Sequence, residues 1–252
     1  MSARRTDNVQ NNTKGLTKPY PKANVLTRKG RLLSLLWAFR SIWMEETDSG
    51  MPIKAVIFDL DGTITEPYFD FDAIREEIGI NRNGGPILEA MESMTLEQRT
   101  RAEAILHFHE EKAVSESALN PGAKDTLEGL RQRGIRIGIL TRNRKCNALA
   151  VAEKHRLCFD AVVGREDGPA KPNAFGVLHL CERFAVQPAE TMLVGDYLFD
   201  LLCARSAGAI PVLIANHDRA PEFAHHADFT VQTLHELLPI VDNHNGVHGP
   251  VA

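Results

Sequence analysis

Beyond residue 50 the chain alternates between short apolar runs and stretches whose apolar residues recur every three to four positions. Residues 53–59, 135–141, 161–164, 191–196 and 210–215 are almost wholly apolar, with polar residues at the ends of several, the pattern of strands buried on both faces of a sheet. Residues 123–132, 143–155, 173–184 and 197–207 lie between them and read as helices. In the first of these, Ala123, Leu127 and Leu130 make one apolar stripe and Gly134 ends it. Residues 228–231 add a last short strand. Strand and helix in turn, with short connections, imply right-handed crossovers and a doubly wound parallel α/β sheet of the Rossmann-like kind. In such a sheet the ligand crevice opens beyond the carboxyl ends of the strands.

One interval breaks the alternation. About seventy residues separate the first strand from the second, too many for a single crossover helix. Residues 71–78, 86–93 and 95–117 all look helical. In the last, Ala102, Ile105, Leu106 and Ala113 line one face while Glu103, Glu110 and Glu116 face outward. Residues 66–120 are therefore expected as a small α-helical cap inserted after the first strand. The core would comprise 51–65 and 121–240, with a flexible tail at 241–252.

Composition changes the picture mainly at the amino end. The first fifty residues hold nine Lys/Arg and four Asp/Glu, so with a net charge of −4 overall the rest carries −9. Both tryptophans, Trp37 and Trp43, lie there too, and Ser49, Gly50 and Pro52 punctuate the junction. Leu32, Leu35, Leu36, Phe39 and Trp43 share helical spacing beside basic residues, which admits a targeting or surface-binding segment. The preferred readings are a disordered tail, or a segment upstream of a natural start at Met44 or Met51. The apolar run 32–39 is too short to span a membrane and carries no secretory cleavage pattern. The net charge gives no general reason to expect nucleic acid as a partner. Cys146, Cys158, Cys181 and Cys203 form no CxxC pair and read as core or helix positions. Free thiols in a reducing, cytoplasmic compartment are expected, not a disulfide scaffold or a zinc site.

The acids at strand ends carry the chemistry. The first strand runs out at Phe58–Asp59–Leu60–Asp61–Gly62–Thr63. A period of two sends Asp59 and Asp61 to one side and Leu60 to the other, and Gly62 lets the chain depart sharply. Two close carboxylates repel, so the pair needs a cation or a raised pKa; a strand-end cap followed by an Asx turn is the plainer alternative. The second strand ends at Thr141, with Arg142 and Asn143 opening a helix whose free N–H groups face any bound anion. Taken alone, Thr141 is explained as an N-cap. Lys171 sits between Pro169 and Pro172 in a stiffened loop, and Pro172 suits the first turn of the next helix. The fourth strand ends Val194–Gly195–Asp196, with Asp200 one helical turn further. Capping accounts for Asp196 and leaves Asp200 unexplained. Four carboxylates suit a hard divalent cation and a nucleophile, while the hydroxyl and the ammonium suit an anion.

Asp59–Leu60–Asp61–Gly62–Thr63, Thr141, Lys171 and Gly195–Asp196 with Asp200 resemble, in order, the four motifs of the haloacid dehalogenase-like hydrolases. The resemblance implies Asp59 as a nucleophile that forms an aspartyl-phosphate. It implies Asp61 as the group that protonates the leaving alcohol and then activates water, with Thr141 and Lys171 binding phosphoryl oxygens. It further implies Mg²⁺ held by Asp59, the Asp61 backbone carbonyl and Asp196, supported by Asp200. The insert resembles the small cap of the phosphoglycolate phosphatase-like branch, which closes over substrate. The expected activity is Mg²⁺-dependent hydrolysis of a small phosphorylated metabolite. Asp61 argues against dehalogenation, because the dehalogenating branch lacks an acid at that place. Phosphomutases of the same branch keep all these motifs and stay open, as does a non-catalytic phosphate-binding protein, although such a relic is expected to lose Asp59, Asp61 or Lys171 first. Asn143 is expected as a further substrate contact. Arg75, Arg82, Arg99, Arg101, His107, His109 and Lys112 are cap candidates, with a solvated helix face the expected role for most.

Overall fold

The computed structural model describes residues 51–81 and 85–247. The amino-terminal extension, Arg82 and residues 248–252 lie outside the described residues, and with them every reading made of the extension. Six strands, β1 (Ala55–Phe58), β2 (Arg136–Leu140), β3 (Ala161–Val163), β4 (Thr191–Gly195), β5 (Ile210–Ile214) and β6 (Phe229–Val231), form one sheet. Helices α1 (Phe71–Ile78), α2 (Ile87–Glu92) and α3 (Leu96–Glu116) follow β1. After them come α4 (Ala123–Gln132), α5 (Lys145–His155), α6 (Phe175–Phe184), α7 (Leu198–Ala207), α8 (Ala220–Phe223) and α9 (Leu237–His244).

The strand order is β3-β2-β1-β4-β5-β6, and every pairing is parallel. The chain winds outward through β2 and β3, then crosses to the other side of β1 for β4, β5 and β6. The reversal falls between β1 and β4, where a doubly wound sheet leaves its crevice. Phe58 is in register with Ile139 of β2 and Val194 of β4, so these three strands finish level. Residues just past their ends are thereby brought together.

Alternation divides the core in two. Val56 and Phe58 pack with Ile137, Ile139, Met192 and Val194 beneath Leu127 and Leu130 of α4 and Val151 of α5. Ile57 and Leu193 face the opposite way, against Val177 and Leu180 of α6 and Ala204 of α7. Both faces are covered, which is why these strands read as unbroken apolar runs.

Helices α1, α2 and α3 have a small core of their own, built from Ile74, Ile87, Met91, Ala102 and Leu106. Asp70 caps α1 by accepting from the Asp72 and Ala73 amides, and Thr95 with Gln98 forms a capping box at α3. The two chain segments that connect this unit to the sheet are tied side by side, Glu66 N–H to the Ala118 carbonyl and Asn120 N–H to the Ile64 carbonyl, both 3.0 Å.

Four expectations are corrected, one of them in part. Glu110 does not face outward on α3 but is buried, at 3% exposure, because it is paired across to the sheet domain. Residues 241–247 are not a loose tail: α9 continues to His244 with Val241 in the core, and the Asn245 amide bonds both the N–H and the carbonyl of Ile53. Of the cysteines expected in core or helix, Cys181 and Cys203 are buried and Cys146 lies exposed on α5, whereas Cys158 is exposed beyond the end of α5; all four are free thiols. Helix α6 begins at Phe175, so Pro172 belongs to the preceding turn and not to its first turn.

Candidate active site

The sheet holds the first acid in place. Asp59 N–H donates to the Val194 carbonyl (2.8 Å), continuing the ladder one residue past β1. Leu60 drops into the core, and its carbonyl accepts the Ile64 and Thr65 amides (2.9 and 3.0 Å), which turns the chain back. Asp61 is left facing Asn143, whose Nδ2 donates to Asp61 Oδ2 (3.2 Å). Gly62 takes φ +87°, and a Cβ there would lie 2.4 Å from Asp196 Oδ2. Only a residue without a side chain lets Asp196 stand so close. The Gly62 carbonyl is clamped by Asn120 Nδ2 (3.0 Å) and Asn216 Nδ2 (2.7 Å), and Asn120 also bonds the carbonyls of Thr63 and Thr65.

Lys171 lies between two acids. Its ammonium is buried and sits 2.6 Å from both Asp59 Oδ1 and Asp200 Oδ1. Arg142 steadies the loop by donating to the Lys171 carbonyl; its guanidinium also stacks on Phe199, 4.8 Å from the ring centre, and pairs with Glu89 of α2 at 2.6 Å. Asp200 Oδ2 accepts the Tyr197 amide (3.2 Å), so Asp200, not Asp196, supplies the side-chain cap of α7. Asp196 instead accepts the Thr63 hydroxyl (3.4 Å), and its backbone carbonyl is bonded by His217 Nε2 (2.8 Å).

Thr141 is buried at the end of β2, and its Oγ1 accepts the Asn143 amide (2.9 Å). Its hydroxyl proton is thus left to donate elsewhere. The Asn143 side chain is committed within the protein: besides Asp61, its Oδ1 accepts the Arg144 amide (2.7 Å) and Asn147 Nδ2 (2.8 Å). Among the cations of the helices inserted after β1, Arg75 pairs with Asp72, Arg99 with Glu103 and His109 with Glu77, while His107 reaches Arg144 just ahead of α5.

The electrostatics follow from crowding. One oxygen from each of Asp59, Asp196 and Asp200 lies within 4.8 Å of the others. Burial, then the charges of Asp59 and Asp200, push the Asp196 carboxyl well above the usual carboxylate range. Burial likewise raises Asp200 to about 6 and, together with Asp59, Asp61 to about 7. Burial disfavours the Lys171 ammonium, but Asp200 and Asp59 outweigh it and hold the pKa above that of an ordinary lysine. With all three acids ionised, one ammonium would leave an excess of negative charge, which is why Asp196 and Asp200 hold their protons so firmly without a further cation. An all-oxygen donor set that crowded fits a hard divalent cation.

The sequence motifs located Asp59, Asp61, Thr141, Lys171, Asp196 and Asp200, and the structure gathers them at the ends of β1, β2 and β4 and the loop before α6. Asn120, Asn147, Glu110, Arg165 and Asn216 were not anticipated. Each acts by reaching a distant backbone or side chain, and nothing local in the sequence marks such a role.

Comparison with known proteins gives the class. A family model described as haloacid dehalogenase-like hydrolase matches residues 53–208. The chain belongs to that family. It is 32% identical over 202 residues to an uncharacterized hydrolase of Saccharomyces cerevisiae, covering 77% of this chain and 93% of that one. A phosphoglycolate phosphatase of Chromobacterium violaceum is 28% identical, covering 76% of this chain and 97% of the relative. Among solved structures, a hydrolase from Pseudomonas syringae superposes with a TM-score of 0.65 at 23% identity, over 75% of this chain and 98% of that chain. Among the described residues no helix is long and apolar enough to cross a membrane.

Proposed function

We propose that this hydrolase is a phosphatase that cleaves a small phosphate monoester through an aspartyl-phosphate on Asp59. The observation that carries the reading is the buried Lys171 ammonium 2.6 Å from Asp59, with a second acid, Asp61, held two residues along. A carboxylate approaching a phosphate dianion meets charge repulsion, and Lys171 offsets it where the two would meet. Asp59 attacks phosphorus as the ester P–O bond breaks, and Asp61 gives its proton to the departing oxygen. Asp61 then takes a proton from the water that attacks phosphorus and frees Asp59. A carboxyl raised to about 7 by burial and by Asp59 suits both halves of that exchange. Such proton transfer is typically worth ~10²–10⁴-fold in rate. Thr141 Oγ1 donates to a non-bridging phosphoryl oxygen, and Asp200 holds Lys171 in place.

Asp59, Asp196 and the Asp61 carbonyl are the groups that would hold Mg²⁺. When bound, the ion supplies positive charge to the phosphoryl oxygens. Residues 66–120 act as the cap over this site. The reduced thiols and the lack of a membrane-spanning helix among the described residues accord with a cytoplasmic enzyme.

The test is turnover of a panel of phosphorylated metabolites with Mg²⁺, beginning with 2-phosphoglycolate because relatives are named for that activity. Release of inorganic phosphate, abolished in Asp59→Asn, is expected. An isomeric phosphate ester as product would identify a mutase, and full activity in Asp59→Asn would remove the nucleophile.

A further inference from the structure

A chain of buried amides runs from Asp61 to the cap. Asn143 Nδ2 donates to Asp61 Oδ2 (3.2 Å), and Asn143 Oδ1 accepts from Asn147 Nδ2 (2.8 Å). Asn147 Nδ2 also donates to Glu110 Oε2 on α3 (3.2 Å), and Arg165 closes the chain by pairing with Glu110. Glu110, Asn143 and Asn147 are each at most 5% exposed, so water competes little for these groups. The direction of the chain is set at its far end. An ionised carboxylate only accepts, so Glu110 requires Asn147 to present its NH₂ group. That NH₂ saturates Asn143 Oδ1, and Asn143 must then turn its own NH₂ toward Asp61. Either amide flipped would put oxygen against oxygen.

We propose that Glu110 is a positioning residue through which the cap orients the acid/base. With the cap docked, the Glu110–Asn147–Asn143 chain pins Asp61 Oδ2 and aims the other carboxyl oxygen at the leaving group. When the cap lifts, α3 carries Glu110 away and the orientation is lost. Proton delivery is thus tied to closure over substrate. The proposal rests on the phosphatase reading above.

The experiment compares kcat/KM for an alkyl phosphate, whose leaving oxygen needs a proton, with that for 4-nitrophenyl phosphate, whose leaving group departs without one. Because kcat/KM reports only steps through leaving-group departure, the later water-activating role of Asp61 does not enter. In Glu110→Ala, the alkyl substrate should lose on the order of tenfold more than the aryl one, a fraction of a general acid's usual worth. Asn147→Ala cuts the same chain while leaving the Glu110–Arg165 pair intact, and should give the same split if Glu110→Ala fails to fold. Equal losses on both substrates, or no loss, would overturn the proposal. Asp59→Asn and the unaltered protein run alongside distinguish the cases: no turnover of either ester by the unaltered protein defeats the phosphatase reading, and activity surviving in Asp59→Asn defeats the aspartyl-phosphate route, whatever the Glu110 result.

Discussion

Gly62 and Gly208 offer a matched pair for separating backbone strain from crowding at the acids. Both have positive φ, +87° and +77°, so alanine meets the same left-handed penalty at each. Around Gly208, at the end of α7, a Cβ would find nothing within 4 Å, whereas at Gly62 it would stand 2.4 Å from Asp196 Oδ2. Left-handed backbone costs an L-residue ~1–2 kcal/mol. For a domain of this size that is roughly 2–8 °C in Tm. Gly208→Ala should show that loss and keep full activity. Gly62→Ala should add to it a displacement of the Asp196 carboxylate, since atoms at 2.4 Å must part by about an ångström. Because metal–oxygen distances tolerate only tenths of an ångström, the Mg²⁺ concentration for half-maximal turnover should rise at least tenfold. Calorimetry supplies Tm, and initial rates across a Mg²⁺ titration supply the metal requirement. Equal metal requirements in the two variants would show that the close approach of Gly62 to Asp196 has no bearing on the cation.

Two further outcomes follow from the same geometry. Asn120→Ala would leave the carbonyls of Gly62, Thr63 and Thr65 short of their shared donor. A loss of ~1–3 kcal/mol in urea unfolding is expected, and an unchanged midpoint would show that the turn after β1 does not depend on it. In protein stripped of divalent ions, burial holds Asp200 near about 6, and burial with Asp59 holds Asp61 near about 7, both above the ordinary 3.8 of an unfolded chain. The folded state then binds more protons across that interval, so their contribution to stability should fall as pH rises from about 4 to 7. Tm measured with and without Mg²⁺ should diverge with rising pH, and curves that stay parallel would contradict the assignment.

The order of apolar and polar positions was enough to set the parallel sheet, its helices and the run of helices inserted after β1. Burial on both faces forces an unbroken apolar run, a property of the strand itself. Asp59, Asp61, Thr141, Lys171, Asp196 and Asp200 were legible for a related reason: each sits just past a strand end, in a loop between prolines or, for Asp200, in the first turn of the helix that follows, where local pattern fixes its place. What Asp200 does was not legible. Its two oxygens divide between the Tyr197 amide and the Lys171 ammonium, a choice made only when the loop before α6 closes over α7. Glu110 was misjudged for the same reason. Helical spacing placed it on the polar side of α3, and a polar side is solvated unless something packs there. Here α5 and Arg165 do; Arg165 and the Asn147 amide offset part of the cost of burying the carboxylate, and burial still raises its pKa. Pairing between side chains dozens of residues apart depends on how elements dock, and one-dimensional periodicity carries no record of docking.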